Sequence, residues 1–162
     1  MPAPIITITD PTDTSVQSSW AVGTVKASTD SAELNVHVWN NKGGESAVSD
    51  MIECTVGVFD ANGLANDPIA ANKWVNASIN GANYTAIGGS VTAPLYAANA
   101  DPSAFVGDAA TEHVLSGAIN DGSSATSASK ANYADCKFKV VVPANASPGT
   151  VSFKIRFQGY YV

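Results

Sequence analysis

Asn132-Tyr-Ala-Asp-Cys-Lys-Phe-Lys-Val-Val-Val142, the connection Pro143-Ala-Asn-Ala-Ser-Pro-Gly149, and Thr150-Val-Ser-Phe-Lys-Ile-Arg-Phe-Gln158 before the terminal Gly159-Tyr-Tyr-Val162 decide the fold class. Cys136, Phe138, Val140 and Val142 fall on one parity with Lys137 and Lys139 on the other; Val151, Phe153, Ile155 and Phe157 alternate with Ser152, Lys154, Arg156 and Gln158. A period of two is the signature of strands with one buried face. Both prolines sit in the connection, where a missing N–H removes no ladder hydrogen bond, and Gly149 accepts the positive φ of a tight turn. These two strands pair either as a hairpin or as neighbours that cross between sheets.

Working outward, Leu34, Val36 and Val38 share one face of a strand over 33–39, with Glu33, Asn35, His37 and Trp39 opposite, and Ile52, Cys54, Val56 and Val58 share the inward face of a strand over 52–60. The core expected from this alternation comprises Leu34, Val36, Val38, Val56, Val58, Phe138, Val140, Phe153 and Ile155. Ile5 to Thr9 reads as a first strand. Ser19 to Ala27 reads as a second, with Trp20, Val22 and Val25 as apolar positions that do not alternate cleanly. In the middle, Lys73 to Ile79 and Tyr84 to Ile87 form a hairpin around Asn80-Gly81, a pair suited to positive φ at both turn positions. Val91 to Ala97 is an edge or bent strand because of Pro94. From 98 to 131 the chain is rich in Ala, Ser, Asp and Gly, with Phe105, Val106, Val114, Leu115 and Ile119 as its apolar anchors. So long a loop signals either disorder or a binding element. The expected organisation is one domain over 1–162, with 98–131 as a long loop or insertion.

Leu34-Asn-Val-His-Val-Trp-Asn-Asn-Lys-Gly-Gly44 before Cys54-Thr-Val-Gly-Val-Phe-Asp60, together with Phe138-Lys-Val-Val-Val-Pro-Ala-Asn-Ala-Ser-Pro-Gly-Thr-Val151, resembles the opening and closing halves of bacterial and phage immunoglobulin-like modules, of the kind found in decoration, tail or fibre proteins of tailed-phage virions. The resemblance covers about 30–60 and 136–158 and consists of turns and alternation. It implies an antiparallel β-sandwich, immunoglobulin-like or jelly-roll-like, used in adhesion, spacing or virion decoration. It carries over no active-site residue.

The 162 residues include 8 Lys plus Arg and 14 Asp plus Glu, for a net charge of −6. No basic cluster is present that could neutralise a run of phosphates, so nucleic acid is not an expected partner. No apolar run approaches the length of about 18 residues that spans a membrane. The opening residues lack the basic segment of a secretory signal. No P-loop, dinucleotide fingerprint or Gly-x-Ser-x-Gly elbow occurs, and His37 and His113 lack partners at zinc spacing. Asp60-Ala-Asn-Gly63 with Asp67 is half of a calcium loop or, more simply, an Asx-stabilised turn. The chain is therefore expected to need no cofactor and no metal, and to be no enzyme.

Cys54 and Cys136 share inward parity on two strands, as either an inter-sheet disulfide or a buried thiol pair. Trp20, Trp39 and Trp74 would form a sugar platform if two were exposed together; otherwise they belong to the core. Candidate interface residues are Tyr160 and Tyr161 of the aromatic tail, Phe105 in the long loop, and Trp39 opposite the apolar face of its strand. The function expected from these features is a non-enzymatic virion component assembled in the host cytoplasm. Its partners would be a major capsid or tail protein and further copies of itself. The alternative is a carbohydrate-binding or adhesion module at a bacterial cell surface, with host glycans as ligands.

Overall fold

Alternation turns into pairing along most of the chain. A computed structural model describes residues 1–64 and 67–162. Its strands are β1 (Ile6–Thr9), β2 (Leu34–Asn40), β3 (Ile52–Asp60), β4 (Val75–Ile79), β5 (Thr85–Ile87), β6 (Ala93–Pro94), β7 (Tyr133–Val140) and β8 (Phe153–Tyr160). They form two antiparallel sheets, one ordered β1-β2-β7-β4-β5 and the other β6-β3-β8. The protein is an all-β sandwich. β7 and β8 take the second of the two arrangements open to them. β7 lies between β2 and β4 in the larger sheet, and β8 crosses to pair with β3 in the smaller one.

The core lies where the two sheets meet. Val36, Val38, Val56, Val58, Phe138 and Val140 are buried in it, while Leu34, Phe153 and Ile155 are only partly covered at its rim. Phe138 of one sheet meets Phe157 of the other edge to face at 6.0 Å. Residues outside the regular alternation complete the core, notably Ile69 of the short helix α1 (Pro68–Ala71), Leu95, and Leu115 of the long loop. Cys54 and Cys136 are fully buried free thiols, so the disulfide arrangement is not formed.

The Asn80-Gly81 hairpin forms as its residues dictate, with φ of 50° and 78° and a bond from Ala82 N–H to Ile79 C=O. Pro94 lies on the edge strand β6, where its missing N–H leaves no gap in a ladder. The second strand over 19–27 does not form. Only isolated bridges flank it, Thr9 with Val16 and Asp30 with Val141. Trp20, Val22 and Val25 are half-buried, yet none of the described residues pairs with their backbone.

The 98–131 segment is a folded cover. It contains two 3-10 turns and the short helix α2 (Ala109–Glu112), and Leu115 forms an antiparallel bridge with Met51, just before β3. Buried asparagines tie it down. Asn40 Nδ2 donates to the carbonyls of Ser49 and Leu115, at 3.0 and 3.1 Å. Asn41 Nδ2 donates to those of Ser46 and Gly117. Asn120 Oδ1 accepts from Gly43 and Gly122 N–H while its amide donates to the Asn41 carbonyl. Asn132 Nδ2 donates to the carbonyls of Ser116 and Ala118. Gly117 runs so close to the chain before β3 that a Cβ there would come within 2.2 Å of the Val48 carbonyl oxygen. Removing 101–131 would strip these partners from buried amides, so the segment belongs to the fold.

Candidate functional site: an open flank beside the last strand

β8 points Phe153, Ile155 and Phe157 inward and Lys154, Arg156 and Gln158 outward, but none of the inward side chains is fully buried. The reason is topological. β8 ends the smaller sheet, so β3 covers one of its edges, and among the described residues no backbone hydrogen bond reaches the other. With five strands in one sheet and three in the other, Ile8 of β1 and Leu34 of β2 are only partly buried against the core.

Residues 17–27 lie along this flank. Their pairing stops at Gln17, whose N–H donates to the Ile8 carbonyl, and resumes at Ser28, whose N–H donates to that of Val142. Among the described residues no backbone N–H from 18 to 27 donates to another residue. The β7–β8 connection behaves in the same way. Its one internal backbone bond runs from Ala146 N–H to the Pro143 carbonyl. The contact that holds the strap is apolar, with Trp20 edge-on to Phe153 at 5.8 Å and 83°.

Two clefts open along this flank. One of about 220 Å³ is lined by Ile8, Trp20, Leu34, Phe138, Ile155 and Phe157 among others. The other, of about 630 Å³, lies between the strap and the β7–β8 connection and brings Trp20 and Trp74 to a single cavity beside Thr24, Ser147 and Ser152. Its size falls in the range of ligand pockets, about 300–1,000 Å³. On the outer face of β8 the exposed Lys154 and Arg156 have no carboxylate partner among the described residues, and the Arg156 guanidinium lies over the Phe59 ring at 4.1 Å. A sheet edge whose backbone N–H and C=O groups are unpaired can accept an additional strand.

The residues singled out from the sequence are not gathered here. Trp39 is fully buried, which removes it as an interface or sugar-platform residue. Its face of β2 is roofed by the loops around Asp13 and Ser124. Asp13 Oδ1 accepts from Trp39 Nε1 at 3.2 Å and lies 2.7 Å from His37 Nδ1, and Asp13 Oδ2 accepts from Ser124 N–H at 2.8 Å. Tyr133 stacks on Trp39 at 4.6 Å. Burial alone would push the Asp13 carboxyl up, but the hydrogen bonds from Ser124 and His37 outweigh it and hold the carboxyl below its ordinary value.

Phe105 packs edge-on against Tyr96 at 5.3 Å and also meets His113, so it anchors the loop onto the core. Tyr160 and Tyr161 are exposed, at 67% and 56%, at the end of β8, and the Val162 carbonyl accepts from Ser49 Oγ. Burial pushes the Cys54 thiol up to about 11 and that of Cys136 well above its ordinary value, so both stay protonated and unreactive near neutral pH. Asp60 Oδ1 accepts from the N–H groups of Asn62 and Leu64, and Asp67 caps α1 through Ile69 N–H. These two carboxylates thus serve backbone amides in turns. No cluster of His, Cys, Asp and Glu suited to a metal occurs among the described residues.

Sequence reasoning missed the flank because it assigned 19–27 to a strand. The signal was present in the uneven spacing of Trp20, Val22 and Val25, which cannot hold one face of a paired strand. Comparison with protein-family models, with curated proteins and with solved structures found no match to this chain.

Proposed function

We propose that the protein is a non-enzymatic assembly module, an immunoglobulin-like sandwich present in many copies on a tailed-phage virion or similar particle and docked there through its open flank. The observation that carries this reading is the unpaired edge of β8 above a half-covered apolar cleft, an arrangement that a lone monomer gains stability by covering. The exposed Tyr160 and Tyr161 extend the same strand and offer flat aromatic area to a neighbouring subunit. Repetition at fixed spacing makes weak contacts of this kind sufficient.

Size determination of the protein purified with any particle it accompanies, followed by electron microscopy, tests the reading. Ile155→Glu, placed in the cleft, is expected to empty the particle of this protein while the free chain still melts cooperatively. Recovery of the wild-type chain solely as a free monomer overturns the proposal.

A second reading draws on a separate observation. Trp20 and Trp74 line one cleft flanked by hydroxyls, which suits a saccharide stacked on indole rings and supports a carbohydrate-binding or adhesion module. Quenching of tryptophan fluorescence by an oligosaccharide series, lost in Trp74→Ala, separates this reading from the first.

A further inference from the structure

We infer that β8 takes an additional strand from a partner protein, and that this strand presents apolar side chains to the cleft and carboxylates to solvent. The inference rests on the open-flank reading above and specifies the chemistry of what docks there.

Side-chain geometry sets the pattern. A strand laid antiparallel along β8 alternates with it residue for residue. Its residues opposite Phe153, Ile155 and Phe157 must face the cleft, where Ile8 and Leu34 are only partly covered. Its residues opposite Lys154 and Arg156 stand beside two cations that the described chain leaves without a carboxylate. Opposite charges in directly facing positions stabilise a pair of strands and like charges destabilise it. The same cations disfavour β8 of a second copy as the occupant. Antiparallel self-pairing would bring Lys154 and Arg156 of one chain onto those of the other, on the same face. The added strand must lie where Trp20 and Val22 now rest, so the strap over 17–27 has to yield. Its contact with β8 consists of side-chain packing with no backbone ladder to break.

The test uses two short synthetic peptides, one alternating valine with glutamate and the other valine with lysine, added to the full-length protein. Readouts are amide hydrogen exchange along 153–160 and the fluorescence of Trp20, assigned with Trp20→Phe. In the free protein, alternate β8 amides are expected to exchange fast. The glutamate peptide is expected to slow them and shift the Trp20 signal, and the lysine peptide to bind about tenfold more weakly. Lys154→Glu with Arg156→Glu, on an exposed face where the melting curve reports any loss of fold, should reverse that preference.

Equal binding of the two peptides overturns the acidic partner and leaves the open flank standing. Fast-exchanging β8 amides that neither peptide protects overturn strand addition. Slow exchange in the free protein, with no peptide effect, shows the flank already closed and overturns both this inference and the assembly reading.

Discussion

Where β2 ends, at Trp39 and Asn40, the strand is covered on both faces. Along β8 every inward residue is only partly buried, and one whole edge makes no backbone hydrogen bond among the described residues. Both strands carry the same alternation of apolar and polar residues. They differ in what the rest of the chain lays over them. The polar face of β2 is roofed by two loops whose hydrogen bonds converge on Asp13 and on a set of asparagines, whereas the strap beside β8 offers side chains but no backbone partners. Buried side-chain amides that donate to a loop's carbonyls fix the loop in place, because leaving such a buried bond unmade costs about 1–3 kcal/mol. An apolar contact such as Trp20 on Phe153 is non-directional and holds its segment more loosely. The closed end is thus held by directional hydrogen bonds and the strap at the open flank by apolar packing.

The largest effect should follow from removing 101–131, which takes away Leu115 and the carbonyls that Asn40, Asn41 and Asn132 serve. Circular dichroism should show loss of the cooperative transition, and a deletion variant that melts normally would break the comparison at its firm end. Leu115→Ala, at 0% exposure, should cost about 2–5 kcal/mol in a denaturant titration. Asn120→Ala should cost about 1–3 kcal/mol, since it strands the Gly43 and Gly122 N–H groups and the Asn41 carbonyl.

Acid acts at the same end. The Asp13 carboxyl titrates lower when folded than its ordinary value of 3.8. Its contribution is therefore complete above that value and is lost as the pH falls through the folded pKa. Asp13→Asn should flatten the acid limb of a stability-against-pH curve, and an unchanged limb would show that the roof over Trp39 does not depend on that charge.

At the open flank the effects on stability should be small. Val25→Ser is expected to change it by within about 0.5 kcal/mol, and loss of Tyr161 and Val162 by no more. A larger cost for Val25→Ser would mean that the strap is core in solution.

Much of this was legible in the sequence. The parity of Cys136, Phe138 and Val140, the Asn80-Gly81 turn, and Pro94 on an edge all follow from backbone geometry within a few residues, which is where sequence patterns act. Trp39 was not legible, because its parity marks the outer face of β2 and only loops distant in sequence turn that face into an interior. Nor was the long loop. Its low apolar content reads as slack, while its anchors are side-chain amides of Asn40, Asn41 and Asn120 whose partners lie 75 to 79 residues away. The flank was half legible, in the irregular spacing of Trp20, Val22 and Val25.

By itself, then, the sequence determined that the chain is all-β and which residues of most strands point inward, since a two-residue period follows from local φ and ψ. Only the tertiary structure decided how many strands each sheet receives, and hence which edge is left open. Strand order depends on long-range pairing and on competition for the same sheet edges, and no local pattern encodes it.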